Sequence, residues 1–97
     1  MHTELCRAIK QRRIVRFRYD GGLRDVEPYC HGSSAEGHDL LSGYQIGGFS
    51  RSGRGEGWKT FRVDAVSELL LTDQHFFRVR AGYDRNDPGV ATVHCRV

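Results

Sequence analysis

Hydrophobic residues first recur at a helical spacing near the start of the chain. Leu5, Ala8 and Ile9 stand at positions i, i+3 and i+4, so one face of a helix over residues 3–12 is apolar. Thr3 is of a residue type that caps helices, and it marks the predicted start. The pattern therefore predicts a short amphipathic helix whose apolar face lies on a core.

The spacing then changes to a strict alternation over residues 15–19. Apolar or aromatic side chains stand at every second position, and Arg16 and Arg18 stand between them. A period of two is typical of a β-strand, so this strand has one apolar face, which includes Tyr19, and one cationic face.

A hairpin is expected next, because the sequence DGG at 20–22 readily forms a tight turn. The return strand is predicted over residues 23–29, with Leu23 facing the core and Val26 as a second candidate for an inward position. Pro28 should mark the end of this strand or an edge position, since proline has no N–H to donate to a neighbouring strand.

The rest of the chain predicts further short strands separated by turns. They are expected over residues 38–49, 58–66 and 67–72, with a sixth, edge strand over 90–97. Half of the 12 glycines stand between 43 and 57, where the corners of a small barrel would lie. One helix followed by five or six short strands predicts a mainly β fold, a small closed or partly open β-barrel.

Length and composition limit the class of protein. The chain has 97 residues, which fits a single domain over 1–97. No apolar run approaches the about 20 residues of a membrane span, and the N-terminus has no apolar stretch typical of a secretory signal. Three cysteines, an odd number without a CxxC pair, predict free thiols and a cytoplasmic protein without a membrane partner.

Cysteine and histidine residues are the candidate metal ligands. No two cysteines have the spacing of a zinc site, and two Cys-His pairs are adjacent, so that their side chains point to opposite faces of a strand. We therefore expect no metal site and no cofactor. The ligand types considered are Cys30, His31, His38, His94 and Cys95, with His2, Cys6 and His75 further away.

Positive charge is concentrated in the first quarter of the chain. The protein has 15 basic and 12 acidic residues, and residues 7–24 hold seven of the basic ones and a single acid, Asp20. A clustered cationic surface is typical of proteins that bind polyanions. The alternative is a solvated face whose arginines pair with acids such as Asp25 and Glu27.

Taken together, these features resemble the WYL domain of bacterial transcription regulators. The resemblance covers residues 3–77 and leaves 78–97 as a C-terminal extension. It implies an Sm-like, SH3-type β-barrel of five or six strands with an N-terminal α-helix. The residues that carry it are Tyr19, Gly22, Arg24, Glu27, Pro28, the run Phe61-Arg62-Val63-Asp64, Leu71, Thr72 and Phe76.

The resemblance also implies a cationic ligand pocket. Arg24 and Arg62 fall at the positions of the family's pocket arginines, with Tyr19 beside them. His38 stands where the family has the tryptophan of its Trp-Tyr-Leu triplet, here His38-Asp39-Leu40. WYL domains usually follow a DNA-binding domain, for which this chain has no room, so the resemblance implies a stand-alone protein.

We expect a ligand-sensing or nucleic-acid- or nucleotide-binding regulatory module. Its partner would be single-stranded nucleic acid or a nucleotide, bound by Arg24, Arg62 and the face formed by Arg16 and Arg18. No nucleophile and base stand in a catalytic motif, so we expect no enzyme. The alternative is a structural or interaction protein that forms homo-oligomers through barrel edge strands, or docks onto a protein partner, without a ligand.

Overall fold

The computed structural model describes residues 1–51, 53 and 55–97. These residues form one α-helix and six strands, which confirms the mainly β class. The elements are α1 (His2–Gln11), β1 (Arg13–Tyr19), β2 (Gly22–Ser33), β3 (Asp39–Gly48), β4 (Gly57–Arg62), a 3-10 turn (Val63–Ala65), β5 (Ser67–His75) and β6 (Thr92–Arg96).

All strand pairings are antiparallel and centre on the long strand β2. The strands lie in the order β4-β3-β2-β1-β5, and β6 pairs with the last residues of β2. β1 pairs with the first half of β2, over residues 22–26, and β6 pairs with its last residues on the same side, over residues 30–33. Within the described residues no pairing joins β4 to β5, so the sheet is open at these two strands.

The helix packs on the sheet through the face that its spacing predicts. Leu5, Ala8 and Ile9 are at most 1% exposed. The predicted cap is wrong, because the helix begins at His2 and Thr3 already lies in its first turn. The helix ends where Arg12 adopts a left-handed conformation with φ 52° and its N–H reaches the carbonyls of the last turn.

The predicted hairpin is present, but the return strand faces the core with other residues. Leu23 is 43% exposed, whereas Arg24 is 4% and Val26 0% exposed. Side chains alternate along a strand, so Leu23 and Val26 cannot both point inward. Val26 occupies the core opposite Val15 of β1, and this register brings Arg24 inside opposite Phe17.

Strand β2 also continues beyond its predicted end at Pro28 to Ser33. The pairing with β3 shifts between Pro28 and Cys30, which leaves Tyr29 as an extra residue on β2. A bulge of this kind accommodates a proline within a strand, because the ladder is interrupted there. The expected strand end at Pro28 is therefore wrong, whereas the other expectation, an edge position, is confirmed, because among the described residues Pro28 is paired with β3 but with neither β1 nor β6.

The last three predicted strands are present with changed limits. The tight bend before β5 is a 3-10 turn over Val63–Ala65, so β4 ends at Arg62 and β5 runs on to His75. β6 lies within the C-terminal extension and pairs with β2. Within the described residues no helix has the length and apolar character needed to cross a bilayer.

A disulfide ties the helix to the last strand. Cys6 of α1 is bonded to Cys95 of β6, and Cys30 is a buried free thiol. The expectation of free thiols is therefore wrong for two of the three cysteines. The sequence separation of 89 residues hid this pair, since only the packing of α1 beside β6 brings the two sulfurs together. The cytoplasmic location, which rested on free thiols, stays a prediction.

Candidate functional site

Arg24 lies inside the protein within a cage of aromatic rings. It is 4% exposed, and its Cζ atom lies 5.4 Å from the ring centroid of Tyr19, 5.3 Å from that of Phe49 and 5.8 Å from that of Phe61. A guanidinium at these distances is attracted by the electron-rich ring faces. We call these four residues the Arg24 cage.

The polar atoms of Arg24 are only partly satisfied. Its Nη1 donates to Oε1 of Gln45 at 3.3 Å, while its Nε is buried without a hydrogen-bond partner in the described part of the chain. No carboxylate among the described residues forms an ion pair with it. A buried cation without an anion beside it is costly, so an anion would complete this environment.

Gln45 holds the outer wall of the cage in place. The residue is fully buried, and its Nε2 donates to the carbonyl oxygens of Gly47 at 3.0 Å and Phe49 at 2.9 Å. The N–H of Phe49 donates in turn to the carbonyl of Leu23 at 2.8 Å. Phe49 is 43% exposed, so its ring stands between the guanidinium and solvent.

A second cation lies near the same place. Burial lowers the pKa of the Lys59 ammonium, and the positive charge of Arg24 lowers it further. Lys59 donates through Nζ to Oγ of Ser50 at 2.7 Å, in the glycine-rich segment between β3 and β4. Sequence reasoning did not select Lys59 or Gln45 as binding residues, and it considered Phe49 only as one of several aromatic side chains that could stack on bases.

The two expected pocket arginines lie on either side of Tyr19. The ring of Tyr19 contacts Arg24, and its hydroxyl accepts a hydrogen bond from the backbone N–H of Arg62 at 3.2 Å. The Arg62 side chain is exposed and lies 2.7 Å from Oδ2 of Asp64 and 3.2 Å from Nδ1 of His38. The structure thus brings Arg62 and His38 together, while the Arg62 guanidinium is directed to Asp64 and not to Arg24.

Arg16 and Arg18 share an exposed strand face, as expected, and both pair with acids. Arg16 Nε lies 2.7 Å from Asp25, and Arg18 Nε lies 2.5 Å from Glu68. The hydrogen bond and charge of Asp25 raise the pKa of Arg16. Exposed pairs of this kind are weak and screened by salt, so these arginines can exchange a carboxylate for a phosphate.

Glu27 forms a separate buried network with the C-terminal extension. The residue is 5% exposed and accepts hydrogen bonds from Arg80 Nε at 3.1 Å and from the Tyr29 hydroxyl at 3.2 Å. Arg80 also lies over the ring of Tyr44 at 4.4 Å. Burial raises the pKa of Tyr29. A cleft of about 570 Å³ opens beside this network, lined by residues 75–81, Ile14 and Glu27.

Three imidazoles meet at the opposite end of β2, beside the disulfide. The ring centroids of His2, His31 and His94 are 4.9 to 5.2 Å apart. His31 is 1% exposed, and neither of its ring nitrogens has a hydrogen-bond partner within the described residues. Burial, together with the neighbouring His2 and His94, lowers the pKa of His31 to about 4.

A bulge explains why sequence reasoning missed this cluster. The pairing of β2 with β6 shifts between His31↔Cys95 and Gly32↔Val93, so His94 is an extra residue on β6. In a regular strand the side chains of His94 and Cys95 would point to opposite faces. The bulge turns both of them towards the cluster around His31. Ligand atoms of His2, Cys6 and His31 lie within 4.8 Å of one another, and they could hold a metal ion once Cys6 is a free thiolate.

Comparisons of the chain with protein-family models, with curated proteins and with solved structures give no match. The resemblance to the WYL domain therefore stays a prediction, which rests on residues of this sequence such as Tyr19, Arg24 and Arg62.

Proposed function

We propose that this protein is a small, non-catalytic regulatory module that binds a nucleotide or single-stranded nucleic acid through the Arg24 cage. The observation that carries the proposal is a buried guanidinium whose Nε has no partner and which no described carboxylate neutralises. A forked guanidinium is well suited to phosphate, because two N–H groups can donate in parallel to two oxygens.

The walls of the cage suit the other part of a nucleotide. Tyr19 and Phe49 present ring faces beside the cation, and bases stack on aromatic rings whatever their sequence. Lys59 adds positive charge near the same guanidinium. A phosphate at Arg24 would thus leave its base within reach of a stacking surface.

The ligand reaches Arg24 by displacing the Phe49 ring. Phe49 follows Gly48, which has φ 92° and therefore a backbone conformation that other residues rarely adopt. A rotation of one exposed aromatic side chain opens the cage without breaking the sheet. In the bound state the same ring stacks on the base.

The exposed arginines extend this site along the surface. Arg16, Arg18 and Arg62 hold single carboxylates on the surface, and His38 touches Arg62. Phosphates beyond the first can replace these carboxylates, and each contact releases counterions. We therefore expect longer strands to bind more tightly, with affinity that falls as salt rises.

The order of the elements supports an Sm- or SH3-type barrel of the WYL kind as the scaffold. An N-terminal helix precedes β1, the strands lie in the order β5-β1-β2-β3-β4, and a 3-10 turn separates β4 from β5. In such a barrel, β4 and β5 would approach each other, and the Arg24 cage would open at the end formed by the β3–β4 loop. We also propose that the protein is cytoplasmic.

Binding of fluorescent single-stranded DNA and RNA of about 12 nucleotides tests the proposal directly. Anisotropy at several salt concentrations gives the affinity and its salt slope, with inorganic phosphate and mononucleotides as competitors. Loss of a charge-assisted hydrogen bond costs about 1.5–3 kcal/mol, so Arg24→Gln should weaken binding about 10- to 100-fold.

Arg16→Gln is the matched control, since it removes the same charge from an exposed ion pair. It should lower the salt slope by about one but weaken binding much less than Arg24→Gln. Phe49→Leu, at an exposed position, should weaken oligonucleotide binding and leave phosphate competition intact. Equal losses in Arg24→Gln and Arg16→Gln, with both variants folded, would show that the cage is structural.

Self-association is a second candidate function, favoured by one observation. β5 ends the sheet, and on it Leu70 is 56% exposed. An apolar residue on an open edge strand can pair with a second copy. Light scattering after gel filtration distinguishes the two functions, because Leu70→Lys should yield a monomer only if this edge is the interface.

A further inference from the structure

A group of metal-binding side chains lies far along the sheet from Arg24. His2 and Cys6 come from α1, His31 from β2, and His94 and Cys95 from β6. We call these five residues the histidine–cysteine cluster. Imidazole nitrogens and cysteine sulfurs are the ligands that zinc prefers in proteins.

The ring nitrogens of His31 have no hydrogen-bond partner within the described residues. The imidazole is 1% exposed, and neither Nδ1 nor Nε2 forms a hydrogen bond within the described residues. A buried polar atom left unsatisfied costs free energy, and such atoms are rare in folded proteins. The groups around this ring are two more imidazoles and the disulfide-bonded Cys6. The Cys6 sulfur becomes a metal ligand only when the disulfide is reduced, and a metal ion is then the partner that fits this chemistry.

The distances within the cluster are somewhat longer than the ligand separations around a tetrahedral ion. The ligand atoms of His2, Cys6 and His31 lie within 4.8 Å of one another, and His2 Nε2 is 4.0 Å from Cys6 Sγ. Ligands about 2.0–2.3 Å from a tetrahedral zinc ion are separated from one another by roughly 3.5 Å. Small side-chain rotations close this difference, and Cys95 supplies a second sulfur because it is bonded to Cys6.

We propose that reduction of the Cys6–Cys95 disulfide creates a zinc site with His2, His31, Cys6 and Cys95 as its four ligands. The proposal assigns His94 a positioning role, since its Nε2 lies 3.1 Å from Ser33 Oγ while its ring packs against the other two imidazoles. The disulfide and the zinc complex exclude each other, because a disulfide sulfur carries no thiolate charge.

The chemistry balances with a dithiol as the reductant. Its first thiolate attacks one sulfur of the disulfide, its second thiol resolves the mixed disulfide, and two electrons and two protons pass to Cys6 and Cys95. The dithiol leaves as a disulfide. Zn²⁺ then binds both sulfurs as thiolates, and the two thiol protons go to solvent. Zinc occupancy thus reports the redox state around the protein.

Zinc and cobalt titrations of the full chain, in its oxidised and reduced forms, test the proposal. Reduced protein should bind one Zn²⁺ per chain at least about 100-fold more tightly than oxidised protein, measured against a chromogenic chelator. Co²⁺ should give a thiolate-to-cobalt charge-transfer band in the near ultraviolet with reduced protein alone. Bound zinc should also protect Cys6 and Cys95 from alkylation.

Two histidine variants separate the site from a general effect of reduction. His2→Gln, at an exposed position of the first turn, should weaken zinc binding at least about tenfold, and His75→Gln, exposed and outside the cluster, should not. Absence of the charge-transfer band, equal affinity of both redox forms, or equal affinity of His2→Gln and His75→Gln would overturn the proposal. If reduction unfolds the protein, zinc must restore both the fold and the band, and failure to do so also overturns it.

Discussion

The ring of Phe49 covers the guanidinium of Arg24, whose Cζ atom lies 5.3 Å from the ring centroid. The backbone of Phe49 is held by one hydrogen bond through its N–H and one through its carbonyl oxygen. Its N–H donates to Leu23 and its carbonyl accepts from Gln45, so the side chain can turn while the main chain of Phe49 stays fixed. Residues that set the backbone of this loop should therefore control access to Arg24.

Gly48→Ala should destabilise the protein and disturb the cage. A Cβ atom at this position would lie 2.3 Å from the carbonyl oxygen of Leu23, in a backbone with φ 92°. Gly37→Ala is the matched control, because Gly37 has φ 86° and open space around the added atom. Urea unfolding should show that Gly48→Ala costs about 1–3 kcal/mol more than Gly37→Ala. Equal costs would mean that the loop moves freely away from β2.

Reduction of the disulfide should lower stability markedly in the presence of a chelator. The bond closes a loop between residues 89 positions apart, and loops of this length are associated with about 2–5 kcal/mol of stabilisation. Urea unfolding with and without a phosphine reductant measures the difference. The double variant Cys6→Ser, Cys95→Ser should resemble reduced wild type and show no response to reductant. A wild-type midpoint unchanged by reductant would contradict the bond's stabilising role.

Tyr29→Phe should destabilise the contact between β2 and the C-terminal extension. The Tyr29 hydroxyl donates to Glu27 and accepts from the backbone N–H of Arg80. Removing it leaves a buried carboxylate oxygen and a backbone donor with fewer partners, at a cost of about 1–3 kcal/mol. Tyr44→Phe is the control, since the Tyr44 hydroxyl forms no hydrogen bond in the described part of the chain. Thermal unfolding of both variants should show a loss in Tyr29→Phe alone.

Alkaline pH should destabilise the protein through two phenols, those of the buried Tyr29 and the half-buried Tyr83. Burial raises the pKa of Tyr29 and Tyr83 above the ordinary value of 10.0. The folded chain then holds these protons more tightly than the unfolded chain, so the stabilisation is complete below that pH and is lost as pH rises above it. Phenolate absorbance should show two tyrosines that ionise late, and one in Tyr83→Phe. Four tyrosines that titrate together at the ordinary value would contradict the burial of these rings.

Local patterns predict the elements of this protein well. The helix spacing of Leu5, Ala8 and Ile9, the alternation in β1 and the hairpin turn at 20–22 are properties of neighbouring residues, and the structure confirms them. The limits of β2 could not be predicted in the same way. Pro28 is tolerated there because of a bulge, and a bulge depends on how the partner strand is paired.

The candidate sites depend on such pairings even more. Arg24 lies inside the protein because Val26, two positions later on the same face of β2, lies in the core. The histidine–cysteine cluster needs a bulge at His94 and a contact between the two ends of the chain. Charge clustering drew attention to Arg16 and Arg18. The alternative of a solvated face named Asp25, which pairs with Arg16, but it did not name Glu68, which pairs with Arg18.

Side-chain NMR of the arginines tests the role of Arg24 most directly. With ¹⁵N-labelled protein, the Nε–H resonances of Arg24, Arg16 and Arg18 are followed while single-stranded DNA of about 12 nucleotides is added. We predict that the Arg24 Nε–H resonance and the backbone amide of Phe49 shift in a saturable way, and that inorganic phosphate shifts Arg24 in the same direction. Saturation that shifts only Arg16 and Arg18, with Arg24 unchanged, would contradict an anion site in the Arg24 cage.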